Sequence, residues 1–192
     1  MTSWDDAMTS TAAALDPPAE DPHLRYRLDV IALDVTALVQ AAGGWLYHRV
    51  ATGWDVNVLL PPHQDLRPLQ ILGVQTADLE TELAAATGDA AGHGLAVLTD
   101  AFAEDPRICR RVQSALRRSV TEVVLWGEGW PMAVNQRLSA VRHVLTVAGR
   151  AFKRQALMAA DARADGRIDA PELFRSDQKR CLPVGSDLMP VD

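Results

Sequence analysis

Hydrophobic and polar residues along the middle of the chain follow spacings that change between those of helices and those of strands. From Asp34, a residue type that favours helix N-caps, apolar positions recur every three or four residues as far as Trp45, which predicts a helix. Residues 54–60 alternate and then become fully apolar, which predicts a strand. A second strand is predicted at 68–74. The short connection between 54–60 and 68–74 favours an antiparallel pair.

The same patterns continue in the second half of the chain. Helices are predicted from about Asp78 to Ala86 and from Pro106, and a strand is predicted at 120–126. Residues 28–33 and 95–98 are too short for the pattern to assign. A long helix is predicted from about Met132 to Ala160. Its apolar positions are spaced by three or four residues: Val134, Leu138, Val141, Leu145, Ala148 and Phe152.

This succession of strands and helices predicts an α/β domain, with a layered mixed sheet flanked by helices and a long C-terminal helix. The chain has 192 residues and is 48% hydrophobic, which suits one domain with its own core. We predict that this domain covers residues 25–174. Residues 1–24 are predicted to be a disordered acidic tail and 175–192 a flexible C-terminal tail, because both are rich in proline and polar residues.

Charge and composition indicate which classes of partner the protein is expected to bind. The net charge is −6, of which residues 1–24 carry −5, and the pI is about 5.3. An acidic protein is a poor match for the phosphates of nucleic acid. Two cysteines give no disulfide framework, and no apolar run is long enough to span a membrane. We therefore expect a cytoplasmic protein with neither a nucleic-acid nor a membrane partner, and of undetermined oligomeric state.

Residues 161–172 carry acidic side chains around a glycine. Asp161, Asp165 and Glu172 occupy the first, fifth and twelfth positions, Gly166 the sixth, and Asp169 the ninth. This segment resembles a degenerate EF-hand calcium loop, in which oxygen ligands surround a sharp turn. Its third position is Arg163, where the family has an oxygen ligand. The resemblance implies a calcium-responsive protein, and no other cofactor is expected.

The ends of the predicted strands carry the residues best suited to bind a small ligand. Glu128 lies between two glycines, with a tryptophan on either side and Asn135 close behind. Ligands of α/β proteins bind outside the carboxyl ends of strands, and indole rings stack on other rings. The candidate ligand-binding residues are Trp126, Glu128, Trp130, Asn135, His63, Asp65 and His93.

Arginines on two predicted helices lie opposite their apolar faces. Side by side, these helices form a basic patch for an acidic protein partner. The candidate partner-binding residues are Arg107, Arg110, Arg111, Arg117, Arg118, Arg142, Arg150, Lys153 and Arg154.

The sequence contains no G-x-S-x-G elbow, phosphate loop, H-E-x-x-H motif or G-x-G-x-x-G fingerprint. Together with the basic patch, this favours a non-catalytic domain that recognises another protein, as regulatory domains do, and disfavours an enzyme. The alternative is a small-ligand-binding protein or an enzyme that uses the strand-end loops around Glu128 and His63.

Overall fold

A mixed sheet of eight strands forms the centre of the computed structural model, which describes residues 26–85, 94–118, 121–161, 166–177 and 187–191. The strands are β1 (Arg27–Ile31), β2 (Asp55–Leu60), β3 (Gln75–Asp78), β4 (Gly94–Leu98), β5 (Glu122–Trp126), β6 (Ser139–His143), β7 (Glu172–Ser176) and β8 (Met189–Pro190). The helices are α1 (Val35–Ala51), α2 (Arg67–Ile71), α3 (Leu79–Ala85), α4 (Thr99–Glu104), α5 (Pro106–Arg117), α6 (Met132–Asn135) and α7 (Val147–Ala159).

The sheet has a parallel half and an antiparallel half. Its strand order is β3-β2-β1-β4-β5-β7-β6-β8. The first five strands of this order are parallel, and β7, β6 and β8 join them in antiparallel pairs. The chain order reverses between the neighbours β1 and β4, as it does in doubly wound nucleotide-binding folds. The predicted α/β class, with a mixed sheet flanked by helices, is confirmed.

Each face of the sheet packs against its own set of helices. Alternate residues of a strand point to opposite faces, so Val30 packs on one side of β1 and Ile31 on the other. The first core unites the Val30 face with α1, α2 and α7. The second core unites the Ile31 face with α3, α4, α5 and α6. Strands buried on both faces explain the continuous apolar runs of the sequence.

Helix α1 begins where the sequence predicts. Asp34 is its N-cap, and the Asp34 carboxylate accepts a hydrogen bond of 2.6 Å from the amide of Ala37. The helix runs through Gly43 and Gly44 and ends before Gly53, which has a φ of 90°. The short segments that the pattern left unassigned are both strands, β1 and β4.

The predicted antiparallel pair of 54–60 with 68–74 is wrong. The first segment is β2, but residues 67–71 form α2, and β3 follows it in parallel with β2. Pro68 in the first turn of α2 suits a helix start, and Leu69 and Leu72 are buried three residues apart. The buried residues of this segment have the spacing of a helix, and its run of apolar residues does not form a strand.

The predicted long helix from 132 to 160 is also wrong. The segment contains α6, β6 and α7. Val134, Leu138, Val141 and Leu145 are all buried, but Val134 lies in α6, Val141 in β6, and Leu138 and Leu145 in the connections before and after β6. Helix α7 has its own N-cap, Thr146, whose hydroxyl accepts a hydrogen bond from the amide of Gly149.

Because α7 begins anew, its buried face differs from the predicted stripe. Gly149, Lys153, Ala156 and Leu157 are buried, whereas Phe152 is 40% exposed. Lys153, predicted on the basic outer face, therefore points inward.

Residues 1–24, predicted as an acidic tail, lie outside the described residues. Of residues 175–192, Arg175 and Ser176 belong to β7, and Met189–Pro190 form β8 at the far edge of the sheet. Among the described helices, none has both the length and the hydropathy that a membrane span requires.

Candidate functional site

Several loops meet at the carboxyl ends of the parallel strands. In sheets of this type, ligands bind outside these ends where the strand order reverses, which here is between β1 and β4. We call the segments that follow β1, β2, β4 and β5 the carboxyl-edge loops. They comprise residues 32–34, 61–66 and 127–131, together with residues 99–100, which begin α4 directly after β4.

Gln64 joins the loops after β1 and β2. Its amide nitrogen donates a hydrogen bond of 2.7 Å to the carbonyl of Leu33, and its carbonyl oxygen accepts one of 3.2 Å from the amide of Val35. One side chain thus satisfies a free N–H in the first turn of α1 and fixes the turn that precedes it. Sequence reasoning missed Gln64, because a lone glutamine in a loop carries no pattern.

Thr99 joins the loops after β4 and β5 in a similar way. Its hydroxyl donates a hydrogen bond of 2.8 Å to the carbonyl of Trp126. Gly127 has a φ of 93°, and a Cβ there would lie 2.5 Å from the Thr99 hydroxyl oxygen. Only glycine allows this close approach, so Gly127 directs the chain outward and leaves Glu128 exposed at the edge.

The two tryptophans beside Glu128 do not form two walls of one site. Trp126 packs in the first core against Phe174, with ring centroids 6.1 Å apart. Trp130 packs in the second core against Phe102, at 4.9 Å. Asn135 donates a weak hydrogen bond of 3.4 Å to the carbonyl of Trp130. Trp130 and Asn135 therefore support the base of the Glu128 loop.

His63 and Asp65 share a loop without forming an acid–base pair with each other. Asp65 binds Arg67 at 2.6 Å, and hydrogen bonds from Arg67 hold the pKa of the Asp65 carboxyl below its ordinary value. His63 is exposed, with a φ of 69°. Two strands separate β2 from β5, which places His63 roughly 14 Å from the Glu128 loop. His93 lies outside the described residues.

One of the proposed calcium ligands, Glu172, binds groups of the same chain. Glu172 is buried in β7, where one carboxylate oxygen accepts hydrogen bonds from Lys153 Nζ at 2.6 Å and the amide of Gly44 at 2.8 Å. The other oxygen accepts one of 2.7 Å from the amide of Trp45. Glu172 as a calcium ligand is therefore wrong, because its oxygens already have partners. Asp161 and Asp169 flank a segment that includes Asp165, which lies outside the described residues.

No zinc or calcium site is present among the residues that the structure describes. Zinc requires three or four nitrogen, sulfur or oxygen ligands, and no three His, Cys, Asp or Glu side chains of the described part meet in that way. At the carboxyl edge, the Asp34 carboxylate caps α1, and Glu128 stands apart from His63. The described side chains do not fit a metal centre.

Four members of the predicted basic patch form ion pairs with acids of the same chain, among them Arg150 with Asp169 at 3.9 Å. Arg107 forms ion pairs with Glu80 and Asp105, and Arg111 reaches the buried Asp29 at 2.6 Å. Lys153 binds Glu172. An arginine or lysine that is paired with an acid of the same chain attracts an acidic partner only weakly. Helices α5 and α7 pack in different cores on opposite faces of the sheet, so their basic residues do not lie side by side as predicted. An acidic protein partner stays a prediction.

Comparison with known proteins identifies solved structures that have a similar fold. No protein-family model and no curated protein matches the chain. Among solved structures, a deacetylase in complex with teicoplanin, from the teicoplanin biosynthesis pathway, has a TM-score of 0.55 and 14% identity over 86% of this chain and 99% of that one. The conserved protein TT1542 from Thermus thermophilus has a TM-score of 0.54 and 14% identity over 84% and 99% of the two chains.

The zinc-inhibited form of the teicoplanin deacetylase Orf2 also shares the fold, with a TM-score of 0.52 and 15% identity over 78% of this chain and 97% of that one. These matches contradict the prediction of a non-catalytic protein-recognition domain that is not an enzyme, since the fold recurs in deacetylases. They also contradict the description of the chain as protein-binding and EF-hand-like, and they favour the alternative of an enzyme or ligand-binding protein at the strand ends. The chain has the fold of these deacetylases.

Proposed function

We propose that the protein is a hydrolase of the deacetylase type, which releases an acyl group from a small amide bound at the carboxyl-edge loops. The observation that carries the proposal is the shared fold, which covers 86% of this chain and 99% of a deacetylase chain. The reversal of strand order between β1 and β4 supports the same location.

Glu128 is the residue best placed to act as a general base. Its carboxylate is exposed at the end of β5, and Gly127 and Gly129 both have positive φ angles, of 93° and 85°. Trp130 and Asn135 anchor the far side of its loop. An exposed carboxylate on an anchored loop can accept a proton from water beside a bound substrate.

The reaction is an ordinary amide hydrolysis. Glu128 takes a proton from water, and the hydroxide that forms adds to the acyl carbon. The carbon–nitrogen bond then breaks, and the proton passes to the leaving amine, so that a carboxylic acid and an amine are the products.

The test measures free amine after incubation of the full chain with N-acetylated amines, N-acetylated amino sugars and teicoplanin. Teicoplanin is included because two relatives of the fold are named as deacetylases of its pathway. We expect release from at least one of these substrates. Glu128→Gln should lower kcat by about a hundredfold or more, since a general base contributes that much.

Glu104→Gln is the matched control, because Glu104 is an exposed acid at the end of α4 that is distant in sequence from the loop. It should leave kcat unchanged. Binding without amine release, or full activity in Glu128→Gln, would contradict the proposed reaction.

A further inference from the structure

A buried cluster of charges lies where the C-terminal segment meets the rest of the molecule. Arg49 of α1 binds both carboxylate oxygens of Asp187, at 2.8 Å from Nε and 2.7 Å from Nη2. Its Nη2 also donates a hydrogen bond of 3.0 Å to Glu122, the first residue of β5. The side chains of Arg49, Glu122 and Asp187 are only 4%, 2% and 8% exposed. One buried cation therefore faces two buried carboxylates.

Aromatic rings hold the cation in place. The Arg49 guanidinium lies over Trp54, 4.3 Å from the ring centroid, and over Trp45, at 5.0 Å. A guanidinium between two indole rings gains cation–π attraction and cannot turn away from either carboxylate. Glu122 and Asp187 thus compete for one fixed partner.

The segment Asp187–Val191, which we call the strap, is held by contacts with β6, with the first core and with Arg49. The carbonyl of Asp187 accepts a hydrogen bond of 3.0 Å from Nδ1 of His143, and Leu188 is buried in the first core. Met189 and Pro190 form β8 beside β6, and the amide of Val191 donates to the carbonyl of Ala140 at 3.1 Å. Of these contacts, the ion pair of Asp187 with Arg49 responds most strongly to a change of charge beside it.

We propose that the strap is a pH-dependent latch, which the protein holds while Glu122 is neutral and loosens when Glu122 becomes charged. With Glu122 neutral, Arg49 and Asp187 neutralise each other. With Glu122 ionised, the cluster carries one excess negative charge in a site buried from solvent, and this charge repels Asp187.

The environment of Glu122 places this change near neutral pH. Burial, followed by repulsion from Asp187 and Asp177, raises its pKa to about 7, against the opposing effect of Arg49. The other titratable groups at the cluster are His143 and His48, whose rings are 5.2 Å apart. Burial lowers the pKa of His48, so its charge appears only at acid pH. The charge of Glu122 therefore changes between pH 6 and pH 8.

The test is amide hydrogen exchange of the full chain, followed by NMR at pH 6 and pH 8 and corrected for intrinsic exchange rates. We expect the protection of the Val191 amide to fall about tenfold between these pH values, the factor that corresponds to one pKa unit. In Glu122→Gln, which keeps the shape of the side chain without its charge, the protection should not change with pH.

Two further measurements separate the latch from a general loss of stability. Low urea should leave Val191 exchange unchanged while it accelerates exchange at Val58 in β2, because opening the strap exposes little surface. Asp187→Asn should lower the protection of Val191 at both pH values alike. Equal protection of wild-type Val191 at pH 6 and 8, the same pH dependence in Glu122→Gln, or parallel urea dependence at Val191 and Val58 would overturn the proposal.

Discussion

Gly44 of α1 lies directly against the side chains of Leu145 and Glu172. A Cβ at this position would lie 2.5 Å from Leu145 Cδ2 and 3.2 Å from the Glu172 carboxylate. Leu145 is buried, so it has no free space into which it can retreat. The residue is glycine because two buried side chains occupy the volume that any larger residue would need.

Gly44→Ala should therefore destabilise the protein by about 1–3 kcal/mol, the usual cost of overpacking a core. Without the clash, alanine would favour the helix by about 1 kcal/mol, so the sign of the change is diagnostic. Urea unfolding measures it. Gln40→Ala, on the exposed face of α1, is the control and should change stability by less than about 0.5 kcal/mol. A stabilised Gly44→Ala variant would show that Leu145 adapts freely.

At the scale of elements, α1, α7 and β7 are joined through one buried carboxylate. Glu172 of β7 accepts hydrogen bonds from two amides of α1 and from Lys153 of α7. Both charged side chains are almost fully buried, at 3% and 2% exposure. A buried ion pair contributes little net stability, yet the loss of one partner leaves a costly unpaired charge.

Glu172→Ala should accordingly lower the free energy of unfolding by about 3–5 kcal/mol, because it strands the Lys153 ammonium in the core. Arg154→Ala, one residue further on an exposed part of α7, is the control and should cost under about 0.5 kcal/mol. The double variant Lys153→Met with Glu172→Gln should be more stable than Glu172→Ala alone. A double variant that is no more stable than Glu172→Ala would contradict this account.

The elements also show how far the sequence predicts the fold. Helices α1 and α5 were predictable because one period persists across each of them, and β2 because its alternation leads into a short apolar run. The segment 132–160 was not, because its buried positions keep helical spacing while the chain changes from α6 to β6 to α7. Spacing records which residues are buried, and it does not record where an element ends.

The sequence likewise predicted only part of the candidate site. The sequence predicted that Glu128 ends a strand, since the apolar run of β5 and the following glycines are local signals. It did not predict Gln64, or the pairing of Lys153 with Glu172, or that of Arg49 with Asp187 across 138 residues. Such contacts depend on the order of strands in the sheet, which no local pattern encodes.

At the scale of the whole molecule, the two halves of the sheet have different tasks. The parallel strands end in the carboxyl-edge loops, where we propose the reaction. The antiparallel strands β7, β6 and β8 carry Glu172, His143 and the strap, which fasten the C-terminal part of the chain to α1. The charge of Glu122 at the start of β5 affects this second half directly, so the stability of the whole fold should depend on it.

The sign of that dependence follows from the two pKa values of Glu122. Its pKa is about 7 in the folded protein and 4.5 as an ordinary value, so between these pH values the folded state holds a proton that the unfolded state has lost. The contribution of Glu122 to the free energy of unfolding is complete below about pH 4.5, decreases as pH rises, and is lost above about pH 7.

Urea unfolding of wild type and Glu122→Gln at pH 5 and pH 8 tests this directly. The difference of about 2.5 pKa units corresponds to roughly 3 kcal/mol, most of which falls between these two pH values. We therefore expect Glu122→Gln to gain about 2–3 kcal/mol on wild type between pH 5 and pH 8, because glutamine carries no charge to bury. Groups elsewhere titrate alike in both proteins and cancel in the comparison. A constant difference between the two proteins across this range would mean that Arg49 neutralises Glu122 fully, and that the cluster holds no excess charge at neutral pH.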